Sequence, residues 1–115
     1  MSSLSEEPTP TPAQRAACGR VVRLVARQKR VPIRLIINPS RCRANAAKAR
    51  HLAMYLSHVM LGQSLSQVAE VFGRDRTTVS YACAQVEDLR DDPTFDAEVT
   101  RLEELIEAGE AGADE

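Results

Sequence analysis

The sequence predicts an all-α protein, a small domain of about five helices between disordered N- and C-terminal tails. Three observations carry that expectation. Apolar residues recur three and four positions apart in successive stretches, the spacing of one helix face. Capping residues stand ahead of several of these stretches. No stretch reads as a strand with a second strand to pair with. Aromatic residues are only 3% of the 115 while hydrophobic residues are 43%, so Ala, Val, Leu and Ile must build the core.

Residues 1–11 are rich in Pro, Ser and Thr and poor in apolar groups, which predicts a disordered leader. Thr11 and Pro12 read as an N-cap and a first helical position. Ala17, Val21, Leu24 and Val25 then mark a helix over residues 13–29. In the next segment Pro32 and Pro39 bracket a short apolar run, which could be a strand or a helical turn. A turn or irregular connector is favoured, because nothing is available to pair with a strand. Leu52, Leu56, Val59 and Met60 form a stripe that predicts a helix over 44–61, ended by Gly62. Ser64 stands three residues before Gln67, a capping box for a helix over 65–72. That helix turns Leu65, Val68, Ala69 and Phe72 inward, and Gly73 stops it. Asp75 is an N-cap for a helix over 76–89, with Val79, Cys83 and Val86 facing the core. Pro93 starts the last helix, whose inner face is Phe95, Val99, Leu102 and Ile106. An acidic, glycine-containing tail occupies 109–115. One folded domain is therefore expected over 12–108.

The net charge of −1 conceals an asymmetry. Residues 13–50 hold eleven Lys and Arg and no acid, whereas residues 85–115 hold twelve Asp and Glu against Arg90 and Arg101. A basic segment of this kind suits a polyanion partner. It also suits a solvated helix face, and charge alone does not choose between them.

The two helices at 65–72 and 76–89, joined through Gly73, have the form of a helix-turn-helix. In that unit the first residues of the second helix face the DNA major groove. Here they are Arg76, Thr77, Thr78 and Ser80. An arginine reaches guanine N7 and O6 with two hydrogen bonds, and a threonine touches a thymine methyl or bonds to a base or phosphate. The backbone N–H groups at such a helix start can hold a phosphate.

Residues 49–89, ARHLAMYLSHVMLGQSLSQVAEVFGRDRTTVSYACAQVEDL, resemble the C-terminal DNA-binding domain of the bacterial chromosomal replication initiator DnaA. In that family a basic loop leads into a helix of the type R-Q-x-A-M-x-L. The helix-turn-helix that follows ends in F-G-G-R-D-H-T-T-V-x-H-A. The corresponding residues are Arg50, His51, Ala53, Met54 and Leu56, then Phe72, Gly73, Arg74, Asp75, Arg76, Thr77, Thr78, Val79, Tyr81 and Ala82. Three departures matter. One glycine stands where the family usually has two. Arg76 and Tyr81 replace family histidines. Ala84 and Gln85 replace a basic pair, so the later turns of the helix offer fewer cations.

The resemblance implies sequence-specific binding of double-stranded DNA at initiator-type boxes, in regulation of replication initiation or of transcription. The residues it assigns to DNA are Ser66, Arg74, Asp75, Arg76, Thr77, Thr78, Ser80 and Tyr81 in the helix-turn-helix and His51 in the preceding helix. Arg41 and Arg43 flank Cys42, the position aligned with a family arginine that enters the minor groove. Lys48 and Arg50 are expected on phosphates. The alternative is a protein-interaction module that keeps the fold but binds the initiator or its regulators.

No enzyme is expected: no catalytic constellation is visible, and no cofactor is implied. Cys42, His51 and His58 do not have the spacing of a zinc site. There is no run of roughly 18 apolar residues and no secretory signal, so a cytoplasmic, nucleoid-associated protein with no membrane contact is expected. Neither Lys29 nor Lys48 follows a glycine, so no G-x-x-x-x-G-K-[S/T] loop exists. The expectation is thus a stand-alone DNA-reading part without the initiator's ATPase module. Purified protein should show no saturable, magnesium-dependent ATP binding in equilibrium dialysis.

Overall fold

The computed structural model describes residues 9–37 and 44–109. Within them run six helices: α1 (Pro12–Lys29), α2 (Ile33–Ile37), α3 (Ala44–Val59), α4 (Leu65–Phe72), α5 (Arg76–Leu89) and α6 (Pro93–Glu107). No strand occurs among the described residues. Arg41, Cys42 and Arg43, and most of both tails, lie outside them.

The helix starts follow local chemistry. Thr11 Oγ1 accepts from the Gln14 amide at 3.0 Å, and the Gln14 side chain accepts from the Thr11 amide at 2.8 Å. Ser64 and Gln67 make the same reciprocal pair, at 3.1 Å each way. Such a box satisfies two amides that the helix itself leaves open. Ser64→Ala is therefore expected to lower unfolding free energy by about 1 kcal/mol in urea titration. Asp92 caps α6, its carboxylate accepting from Thr94 N at 3.2 Å. Asp75 departs from expectation. It has the extended backbone of an N-cap, but its side chain makes no capping hydrogen bond.

The segment after α1, where the sequence favours a turn or irregular connector over a strand, is a single helical turn. Arg30 ends α1 in the left-handed region, at φ 57° and ψ 49°. The chain reverses there and winds into the single turn of α2. Ile36 is fully buried, and the Ile36 and Leu35 carbonyls accept from Arg50 Nε and Nη2, each at 2.8 Å. A helix this short has almost no intrinsic stability. It persists because a side chain fourteen residues downstream satisfies its last carbonyls.

α3 is the central element, packed by α1, α2, α4 and α5. The sequence suggested a one-sided stripe. Instead every residue from Leu52 to Ser57 is buried, as befits a helix enclosed on most sides, and Val59 of the expected stripe is 46% exposed. The core joins Val21 and Val25 of α1, Leu52 and Leu56 of α3, Val68 of α4, Val79 and Val86 of α5, and Val99 and Leu102 of α6.

Two polar clusters tie the helices together. Gln63 is 2% exposed; its Nε2 donates to the Gln14 carbonyl at 3.1 Å and its Oε1 accepts from Cys18 Sγ at 3.3 Å. The Gln63 carbonyl accepts from His58 Nδ1 at 2.7 Å. This clasps the α3–α4 turn onto α1. At the other end, Arg90 donates to Tyr55 Oη at 3.0 Å, Glu103 at 2.9 Å, Thr100 at 3.2 Å and to Asp96. The Glu103 bond above all holds the Arg90 pKa above its ordinary value. α6 is thereby pinned against α3 and the end of α5.

Candidate nucleic-acid interface

Gly73 makes the turn between α4 and α5 possible. Its φ of 67° lies in the left-handed region, where a Cβ is penalised. The turn then closes with Arg74 N donating to Ala69 O at 2.9 Å and Gly73 N to Glu70 O at 3.3 Å. These two bonds cover open carbonyls at the end of α4. α4 packs on α5, and both rest on α3.

Val79, Ala82 and Val86 fix which side of α5 is inward. The opposite line is Thr77, Tyr81, Ala84 and Asp88, spaced four, three and four apart and all exposed. Arg76 and Ser80 are also exposed, and Thr78 is half-buried. Chemistry changes along this line from a hydroxyl, to a phenol 59% exposed, to a methyl, to a carboxylate. Cationic and hydroxyl groups are therefore confined to the first two turns. No acidic residue lies within the first turn, and Asp75 leaves the first amides of α5 without a side-chain cap.

The flank of this surface is a cationic corner. Arg74 is partly buried, and its Nε is enclosed with no hydrogen-bond partner among the described residues. His51 of α3 meets Tyr81 edge to face, centroids 6.1 Å apart and planes at 89°. Burial, with the charges of Arg50 and Arg74, lowers the His51 pKa, so its imidazole is neutral at pH 7. His51 thus supports Tyr81 through this edge contact.

The structure places the expected contacts unevenly. Arg74, Asp75, Arg76, Thr77, Thr78, Ser80 and Tyr81 come together on the turn and the first half of α5, with His51 beside them. Ser66 sits half-buried in the first turn of α4. Lys48 is exposed on α3, beside Gln85 and Leu89 of α5. Arg50 stands apart: it is 5% exposed and bonded to the end of α2. Arg41 and Arg43 lie outside the described residues. Sequence reasoning missed the buried Gln63 clasp and the structural engagement of Arg50. A glutamine just after a helix stop, and a basic residue on an otherwise small and apolar helix, are the weak signals for them.

His51 and His58 are seven residues apart on α3, about 10 Å along the axis, too far to share one metal. Among the described residues no group of three His, Cys, Asp or Glu could hold a metal ion. None of the helices is long and apolar enough to cross a membrane.

A glycine-linked pair of helices, the second presenting polar side chains from its first turns, defines a helix-turn-helix domain. Residues 18–86 match the family described as the bacterial dnaA protein helix-turn-helix, and the chain belongs to that family. It is 35% identical over 98 residues, 84% of its length, to the chromosomal replication initiator protein DnaA of Acinetobacter baumannii. It is 40% identical over 88 residues, 75% of its length, to the protein of the same name from Mesorhizobium japonicum. Those alignments cover 21% and 18% of the two relatives, so the chain spans about one fifth of the initiators it matches.

Proposed function

We infer that this domain binds double-stranded DNA at initiator-type boxes, at the nucleoid, and so regulates replication initiation or transcription. The observation that carries the reading is the start of α5. Exposed Arg76, Thr77 and Ser80 stand beside helix amides that no side chain caps. Amides left open at a helix start are a ready site for a DNA phosphate.

In this reading α5 enters the major groove. Arg76, Thr77, Thr78, Ser80 and Tyr81 face base edges, with Asp75 at the groove edge. Arg74, Lys48 and Ser66 meet the backbone, His51 orients Tyr81, and Arg41 and Arg43 reach the adjacent minor groove. Arg50 acts indirectly, by fixing the segment that leads to those two arginines. Labelled duplex with an initiator-type box should bind more tightly than scrambled duplex at physiological salt. Equal, weak binding to both would leave nonspecific electrostatics only.

One observation favours a second reading, in which the partner is the initiator or one of its regulators. A cleft of about 460 Å³ between α3, α5 and α6 is lined by Leu52, Val86, Leu89 and Phe95, with Lys48 and His51 beside them. In that case Leu89→Glu, at a side chain 41% exposed, would abolish capture of the initiator while leaving box binding intact.

A further inference from the structure

We propose that the outer face of α1 is a second, sequence-independent site for the sugar–phosphate backbone of duplex DNA, so that the domain bridges two duplexes. α1 contains no acidic residue. Its inward side is Cys18, Val21, Val22, Val25 and Ala26. Arg20, Arg23 and Arg27, spaced three and four apart, fall on the opposite side, and Arg30 follows as the cap at the end of the helix. Arg23, Arg27 and Arg30 are exposed and Arg20 is half-buried.

The other two cations of α1 are already engaged. Arg15 lies 3.8 Å from Glu70, and Lys29 is bonded to Glu98 at 3.1 Å beside the Phe95 ring. No carboxylate among the described residues pairs with the four stripe arginines. Like charges at this spacing repel one another on a helix, and no carboxylate among the described residues relieves that repulsion. Arg30 adds a second cost. It is the one non-glycine residue at positive φ among those described, at a position where glycine would be unstrained. A ligand with repeated negative charge offsets the repulsion.

The chemistry of the stripe selects the ligand. Guanidinium forks match phosphate oxygens bidentately. Arg20 and Arg30 are about 15 Å apart along the axis, and about 15 Å of duplex carries roughly nine phosphate charges. A protein partner would want an aromatic or aliphatic anchor in the patch, and an amphipathic membrane helix would want a free apolar face. The apolar side of α1 is enclosed in the core, and its other exposed apolar residues are alanines.

The stripe lies on the face of α1 turned away from the core. α1 and α5 pack on α3, and the arginines lie on the side of α1 remote from that contact. The domain is 26–30 Å across its two shorter dimensions. DNA has a persistence length of about 50 nm, so one duplex held by α5 would not wrap round to reach the stripe. Bridging rests on the DNA binding inferred for α5; affinity of the stripe for DNA does not.

The test uses the full chain and the triple substitution Arg20→Gln, Arg23→Gln and Arg27→Gln. A box duplex is fixed to beads, and a fluorescent duplex of unrelated sequence is offered with protein at physiological salt. Wild-type protein should retain the fluorescent duplex on the beads. The triple variant, with an unchanged melting temperature, should retain at least ten-fold less, while its affinity for the box duplex changes less than about three-fold. In a separate titration with unrelated duplex, an Arg76→Ala/Thr78→Ala protein should still bind. Adding the triple substitution should then make its log–log salt slope shallower by roughly 2.7, about 0.9 for each phosphate no longer neutralised. Undiminished retention by the triple variant would overturn the proposal and assign bridging to dimers. Loss of binding to vesicles of anionic lipid, with DNA retention untouched, would overturn it in favour of a membrane surface. Should wild-type protein fail to prefer the box, the reading of α5 falls alone, because the salt-slope arm still tests the stripe.

Discussion

Arg50→Met is expected to lower the melting temperature by roughly 10–25 °C, the effect of losing about 2–4 kcal/mol in a domain of this size. Methionine roughly preserves the volume of the stem but removes the donors to the Leu35 and Ile36 carbonyls. Ile36 is fully buried, so its freed carbonyl cannot simply turn to water. Arg50→Lys should recover part of the loss, since a single ammonium can reach one carbonyl but cannot reproduce the fork. Thermal denaturation of the three proteins checks this. Held well below its transition, Arg50→Met should keep the wild-type salt slope for DNA. A stable variant with a slope shallower by about one unit would return Arg50 to the phosphate contact that the sequence suggests.

The case of Arg50 shows why some of this molecule was legible in its sequence and some was not. Features set by neighbouring residues could be read directly. The Ser64–Gln67 box, Gly73 as the left-handed stop and Pro93 after Asp92 all depend on chemistry within a few positions. The inward faces of α4, α5 and α6 followed because each packs on one side only. α3 was misjudged in its burial because enclosure by four other helices is a property of the assembly, not of its own period. α2 reads from the sequence as a strand or a helical turn, with a turn or irregular connector favoured, for the same reason: what holds it is Arg50, fourteen residues away from Ile36. Asp75 has the identity and backbone of a cap, yet its side chain is not used as one, and no local rule distinguishes those cases. In the interface, the polar first turns of α5 were visible from residue type alone. The edge contact of His51 on Tyr81 was not, since it needs the packing of α3 on α5.

A set of four substitutions should separate base reading from phosphate contact, with the largest losses of specificity at the start of α5. Arg76→Ala and Thr78→Ala should each cost roughly 1–3 kcal/mol on the cognate box, about 5- to 150-fold in Kd, and relax preference at one position. Arg76 is exposed at the first position of α5, while Thr78 is half-buried one turn-edge inward. Arg76→Ala is therefore expected to be the larger of the two. Lys48→Ala should weaken all sequences about equally and make the salt slope shallower by about one unit, because a phosphate charge carries no sequence information. Arg43→Ala should fall between, with the loss greatest where the flank is A·T-rich and the minor groove is narrow. Fluorescence anisotropy on single-base box variants at several salt concentrations measures all four. Base preference unchanged in both α5 variants would mean that α5 is not the reading element. Normal DNA binding by all four, with capture of the initiator abolished by Leu89→Glu, would make the cleft beside Leu89 the functional surface instead.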